Sequence, residues 1–430
     1  TDITTRGETA CRKTGMNEVE VWLDDDSLGP PVQVGQLTHN PSKTGDTVRF
    51  DYASEWLQQA DPYASFPLDH ELPLASGALY AHAGADQLSG SFQDGSPDRW
   101  GKLLMERREA IEAREQQRPV RILRSWDFLL GVNDESRMGA LRLRDSVSGD
   151  HVDARHLSAP PITALRDLEA AAERVERGDD EQVDPWIRQL IAPGASLGGA
   201  RPKASFRDTD GSLWLAKFPS MDDRRDVGLW EYLTWQLSRD AGIAMPPARA
   251  LKLSSRGHTF AVQRFDRTPS SRRLYSSAMT RLARDDSDGA SYLDLVEVIE
   301  HEGSSTQIGA QLAQLFRRVL FNILIGNRDD HLRNHGFLRD GNGWVLSPAF
   351  DVNPNPDKGA HVLSIDGDDA SPDTSLLLAT AEFYRLTPKA AQGIEREVRD
   401  VLRGWEPRAK ALGLRKAEIE VMRQVIDAER

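Results

Sequence analysis

The sequence predicts an α+β fold with a β-rich N-terminal subdomain, an α/β lobe and an all-α C-terminal lobe. Three observations predict it. Short runs of alternating apolar and polar residues recur as far as Phe265, the pattern of half-buried strands. Past that point the apolar residues fall at helical spacing instead. Thr268, Pro269, Ser270 and Ser271 form a loop-like link between the two regimes. The expected units are a disordered leader at 1–15 with Met16 as a second start, then 16–118, 119–267 and 268–430.

Each element has its own signal. Glu18–Leu23 (EVEVWL) alternates as a strand, Asp24–Asp26 ends it, and strands at Val32–Leu37 and Thr47–Phe50 follow. Phe92–Leu104 turns into a helix that runs to about Glu115. Pro97 suits its first turn, and Asp98 sits near its N-terminus, where the helix dipole favours an acid. Ser125–Leu130 leads through a glycine-containing turn to a strand at Ala140–Leu143, and helices follow at Pro160–Arg177 and Gln182–Ile191. Strands at Lys203–Arg207 and Leu213–Phe218 flank Asp210–Gly211, a strong hairpin pair. A helix at Val227–Asp240 stops at Gly242, with Pro246–Pro247 beyond. Ala248–Leu253 and Thr259–Phe265 make the last β-pair. Helices are then expected at Tyr292–Glu302, Thr306–Ile325, Ser375–Tyr384, Pro388–Gly404 and Leu414–Ala428.

Bulk properties narrow the function classes. The chain has 430 residues, enough for two or three domains with sizeable cores. Its net charge of −13 disfavours non-specific binding of nucleic acid by the bulk of the surface. Cys11 is the single cysteine, so no disulfide framework and no cysteine-based zinc site can form within one chain. Residues 1–15 hold no apolar core of a signal peptide, and no run of 18 apolar residues stands out. The expectation is a cytoplasmic protein with no membrane partner.

Three stretches could carry chemistry. Pro193–Lys203 (PGASLGGARPK) has glycines that let backbone amides face a phosphate, though a flexible surface turn explains the loop equally well. Lys217 lies in an apolar strand, LWLAKF, where it either reaches solvent or finds an acid such as Glu231 in the next helix. Asn327–Asn334 (NRDDHLRN) follows a helix carrying Leu312, Leu315, Phe316, Val319, Leu320, Ile323 and Leu324 and ended by Gly326. Asp329 and Asn334 have the spacing of the acid and amide in a kinase catalytic loop, and Asp351 follows a hairpin as a metal-binding acid should. Two other readings stay open on this stretch alone. One is a capped loop of solvated polar residues. The other is a metal-dependent hydrolase using Asp329, Asp330 and His331, with His335 nearby.

Taken together these motifs resemble the HipA family of bacterial toxin kinases along most of the chain. Ser96–Glu109 (SPDRWGKLLMERRE) and Ser125–Leu143 look like the family's N-terminal subdomain and its link to the kinase lobe. Ser196–Phe206 (SLGGARPKASF) resembles its phosphate loop and Trp214–Pro219 (WLAKFP) its lysine strand. Gln263–Arg267 (QRFDR) takes the place of its hinge, with Gln263 where the family has glutamate, and NRDDHLRN with SPAFDV resembles its catalytic loop and metal aspartate.

The resemblance implies a bilobal protein-kinase-like fold and an ATP- and Mg²⁺-dependent serine/threonine kinase. Asp329 would be the catalytic base, Asn334 and Asp351 the metal ligands, and Lys217 the phosphate lysine. Gly198, Gly199, Ala200, Arg201 and Lys203 would cradle phosphates. Gln263, Arg264 and Phe265 would meet the adenine, with His331 near the nucleotide. Ser196 would be the site of inactivating autophosphorylation. Implied partners are a protein substrate, of which an aminoacyl-tRNA synthetase is the family example, and a helix-turn-helix antitoxin of HipB type through which alone DNA is reached. A co-repressor with weak kinase activity and a small-molecule phosphotransferase remain rival readings.

Overall fold

The computed structural model describes residues 16–42, 46–59, 65–81, 88–154, 159–179, 185–191 and 199–426; the leader expected at 1–15 lies outside them. Three antiparallel sheets organise the chain. The first has the order β4-β3-β2-β1-β5 and is built from β1 (Glu18–Leu23), β2 (Val32–Asn40), β3 (Thr47–Tyr52), β4 (Leu79–Tyr80) and β5 (Leu141–Asp145). Its inner face carries Val19, Val21, Val34, Leu37 and Phe50, all buried, as the alternation of EVEVWL requires. β5 pairs with β1 from Val19↔Asp145 to Leu23↔Leu141, so this sheet crosses the boundary expected at residue 118. Ser125–Gly131, which precedes β5, is a helix.

The second sheet, β6-β7-β9-β8, joins β6 (Lys203–Arg207), β7 (Leu213–Lys217), β8 (Ala248–Leu251) and β9 (Thr259–Gln263). Helices α1 (Arg99–Glu115), α2 (Leu165–Arg177) and α3 (Pro185–Ile191) lie on it. Trp100, Leu104 and Ile111 share one buried cluster with Leu168, Ile187, Phe206 and Trp214. α1 therefore belongs with the α/β lobe, although residues 16–118 were expected to form a unit of their own. Asp98 caps α1 by accepting from Gly101 N at 2.6 Å, as its place after Pro97 suggests. α4 (Val227–Asp240) is capped in the same way by Asp226, which accepts from Leu229 N at 3.2 Å.

The C-terminal lobe contains α5 (Tyr292–Glu302), α6 (Ile308–Ile325) and α7 (Pro388–Leu402), with shorter helices at Thr374–Ala379, Trp405–Ala411 and Lys416–Met422. It is not all-helical. A three-stranded sheet of β10 (Tyr275–Ser277), β11 (Gly336–Asp340) and β12 (Gly343–Leu346) runs through it. β10 is too short to show a period of its own, and its partner strand lies far along the chain. Trp405–Ala411 is an additional helix between the two expected at Pro388–Gly404 and Leu414–Ala428. Pro407 falls in its first turn, where a missing amide costs nothing.

α6 is long and apolar enough to cross a membrane by length and composition, with a mean hydropathy of 1.2. Here it is a core helix: Leu312, Leu315, Phe316, Val319 and Leu320 are fully buried among α5 and α7 residues. Gly326 ends it at φ +76°, and a side chain there would also meet Val425 at 2.9 Å. The chain turns from this point into the loop that carries Asp329.

Candidate active site

A cavity of about 890 Å³ opens between the second sheet and the C-terminal lobe, and α1 closes one side of it. Lys217, the last residue of β7, stands on its wall. Its Nζ lies 2.6 Å from Glu231 Oε1 on α4 and 2.7 Å from Asp351 Oδ1. Burial works against its charge, but the Asp351 and Glu231 carboxylates outweigh burial and raise its pKa. Lys217 in turn holds Asp351 below the usual carboxylate range. Asp351 has φ +58°, a left-handed backbone that few side chains adopt, just after Phe350 stacks on Phe265 with centroids 5.5 Å apart.

The catalytic-loop motif divides between the cavity and the protein interior. Asn334 and His331 line the cavity. Asn334 Nδ2 donates to Asp329 O at 3.3 Å, while the buried His331 Nδ1 has no hydrogen-bond partner among the described residues. The Asp329 side chain is 55% exposed, does not line the cavity, and pairs with Lys358 Nζ.

Asp330 points the other way and is buried. It accepts from Tyr292 Oη at 2.7 Å, Asn322 Nδ2 at 2.8 Å and His335 Nε2 at 2.8 Å. Burial opposes its charge, yet His335 and these donors keep its pKa low. Asp330 and His335 thus pin the loop to the helical core. Asp329 faces Lys358, Asp330 faces the core and His331 faces the cavity, so the three residues of the hydrolase reading do not converge on one ion. Asn334 and Asp351 supply one amide and one carboxylate oxygen to the same cavity, a donor set that suits Mg²⁺ when phosphate and water complete it.

The glycine loop meets the cavity through Gly199 and Ala200, and Gly199 has φ +95°. Gly198 and Ser196 lie outside the described residues. Arg201 does not reach the wall: its guanidinium forks onto Asp223, with Nη1 2.9 Å from Oδ1. Lys203 does not reach it either. It is 1% exposed, and its Nζ donates to Asp98 Oδ2 at 2.6 Å and to Gly199 O at 2.9 Å. Trp100 Nε1 donates to Lys203 O at 3.0 Å. Lys203 therefore braces the loop from behind. Asp98, expected only as a helix acid, is the residue the sequence reading missed: it lines the cavity, caps α1 and holds Lys203.

At the hinge, Gln263 and Phe265 line the cavity, and Gln263 N donates to Pro247 O at 2.8 Å. The Arg264 guanidinium is spent on the fold. Its Nε lies 2.7 Å from Asp266 Oδ1, and Nη1 donates to Ser136 O at 2.9 Å. Asp266 is buried, and burial alone would raise its pKa; Arg264 and Arg267 hold it far below the ordinary range. The QRFDR run carried this signal, since an acid flanked by arginines in an apolar setting needs them as partners.

Known proteins resemble this chain over part or most of its length. Residues 195–406 match the model of the HipA-like C-terminal domain. Residues 195–406 thus form a HipA-like C-terminal domain. A kinase-named protein of Sinorhizobium fredii, Y4dM, is 27% identical over 157 residues, 33% of this chain and 37% of that protein. A kinase-named protein of Haemophilus influenzae is 23% identical over 191 residues, 38% of this chain and 54% of that protein. The chain thus spans between about a third and a half of the curated relatives' lengths. Among solved structures, the Shewanella oneidensis HipA toxin in complex with HipB and operator DNA matches with a TM-score of 0.64 at 16% identity over 95% of both chains. At that identity the likeness speaks for the fold. The HipA-like region holds Lys217, Asn334 and Asp351, whereas Asp98 and the first sheet lie before it.

Proposed function

We propose that the chain is a HipA-type toxin kinase that transfers the γ-phosphoryl group of ATP to a serine or threonine of a protein substrate. The observation that carries this is Lys217 between Glu231 and Asp351, on the wall of a cavity that Asn334 shares. In this reading Lys217 and the amides of Gly199 and Ala200 hold the phosphates, with Gln263 and Phe265 at the adenine. Asn334 and Asp351 hold Mg²⁺, which would neutralise phosphate charge. Asp329 accepts the proton of the attacking hydroxyl.

The test is Asp329→Ala. A positioned base contributes about 10²–10⁴-fold, so phosphate transfer from labelled ATP should fall by that factor while ATP still binds. Wild-type transfer by this variant would remove Asp329 from the role.

Ser196 is proposed as the autophosphorylation site. Phosphate there would add about −1.5 to −2 charges beside the ATP phosphates and repel them or the loop. Intact mass after incubation with Mg-ATP should show the added phosphate on wild type and not on Ser196→Ala. Equal phosphate on both would exclude this site.

A helix-turn-helix antitoxin of HipB type is the proposed partner, supported by the HipB present in the Shewanella complex. A net charge of −13 fits DNA contact only through such a partner. An aminoacyl-tRNA synthetase is the substrate class to test first. Profiling with labelled ATP separates a protein acceptor from a small-molecule one.

A further inference from the structure

Downstream of Asp351 the chain runs back along the catalytic loop and is fastened to it. Asn355 N donates to Gly326 O at 2.8 Å, and Asn353 N donates to Asn327 Oδ1 at 3.5 Å. Arg328 Nη1 donates to Lys358 O at 2.6 Å, which anchors the backbone of the residue whose ammonium meets Asp329 Oδ1. Both side chains stay accessible, Lys358 at 40% and Asp329 at 55%. An exposed pair of this kind contributes at most about 1 kcal/mol to folding, so stability is a poor reason for it.

Three cations near the cavity are held by other acids. Lys217 is held by Glu231 and Asp351, Lys203 by Asp98, and Arg201 by Asp223. Arg99, Lys102 and Arg333 line the cavity, but among the described residues it is Lys358 that pairs with the Asp329 carboxylate. Lys358 sets a positive charge on the Asp329 carboxylate, and the main chain of Asp329 is bonded by Asn334 of the cavity wall.

We propose that Lys358 is a catalytic residue of the phosphoryl transfer, its ammonium contacting the oxygens of the group in flight while holding the Asp329 carboxylate toward the acceptor. The role rests on the kinase reading above. In the step, the acceptor oxygen bonds to the γ-phosphorus as the bond from that phosphorus to the β,γ-bridging oxygen breaks. The acceptor proton passes to Asp329, the bridging electron pair leaves with ADP, and Lys358 keeps its protons. A preorganised cation aimed at charge that grows in the transition state is typically worth about 10²–10³-fold in rate.

The experiment compares full-length wild type, Lys358→Met and Lys358→Arg. It measures label transfer from γ-labelled ATP with Mg²⁺ to the chain itself and to casein, ATP affinity by equilibrium dialysis, and melting temperature. Expected is a fall of about 10²-fold in the rate for Lys358→Met, ATP affinity within about twofold of wild type, an unchanged melting temperature, and recovery of at least about tenfold in Lys358→Arg. A Lys358→Met rate within about twofold of wild type overturns the role. A faster rate overturns it too, since Lys358 would then be holding Asp329 idle. Loss of ATP affinity or a lower melting temperature in Lys358→Met would mark the residue as structural. Absence of transfer by wild type would instead remove the kinase reading and this role with it.

Discussion

Lys217 on the cavity wall and Asp329 outside it carry opposite charges, and their settings differ. Lys217 is 12% exposed, rooted in a strand and bonded to two carboxylates. Asp329 is 55% exposed, sits on a loop and is bonded to one lysine. The Lys217 end is built by the packing of the sheet on α4, and its charges are positioned by the fold itself. The Asp329 end is open, which in the proposed reaction would let a protein hydroxyl approach. The fold supplies rigidity there indirectly, through Asp330 and His335 beneath the loop.

The largest expected effect breaks the buried end. Lys217→Met leaves Glu231 and Asp351 without their shared cation, which for a buried pair costs about 3–5 kcal/mol. A drop in melting temperature together with loss of ATP binding is expected by thermal unfolding and dialysis. Asp329→Ala should leave the melting temperature unchanged. Equal destabilisation by the two variants would erase the contrast.

Next in size is an acid sensitivity in the segment that follows Lys358. His361 is buried in the segment after Lys358, its ring nitrogens have no hydrogen-bond partner among the described residues, and burial pushes its pKa down to about 4 from 6.5. The unfolded chain binds more protons than the folded one between those values. Stability from this residue is therefore full above pH 6.5 and declines as pH falls toward 4, by about 3 kcal/mol in total. Unfolding midpoints at pH 7.5 and pH 5 should converge in His361→Phe relative to wild type. Identical pH dependence in both would assign the acid sensitivity elsewhere.

The smallest effect sharpens the picture at the glycine loop. Asp98→Asn keeps an acceptor for Lys203 but removes the charge, a loss of about 1–2 kcal/mol from a charge-assisted hydrogen bond. The KM for ATP should rise about tenfold with kcat less affected. An unchanged KM would mean that the brace does not set the loop.

Much of the site was legible because its signals are local. The Asp329–Asn334 spacing, the apolar strand around Lys217 and the glycines before Lys203 each fit within a dozen residues. Glu231 was reachable as the acid of the next helix. What stayed hidden depends on pairing at a distance. Lys203 and Asp98 are 105 residues apart, and no local pattern separates a lysine that faces phosphate from one that holds a loop. Asp329 and Asp330 are neighbours of one residue type, and burial against Tyr292 and Asn322 is what separates them. The assignment of α1 failed for the same reason, since an amphipathic stripe says that a helix is buried and not against which sheet.

That last feature has a practical side. α1 shares its buried face with the second sheet, while the strands that precede it share a core with Leu274, Met279 and Tyr292 of the helical lobe. Residues before 119 are thus mortared into both walls of the cleft. A shortened version beginning at residue 195 would bare two greasy surfaces at once and should go to inclusion bodies, so a minimal active piece has to keep the strands and helix upstream.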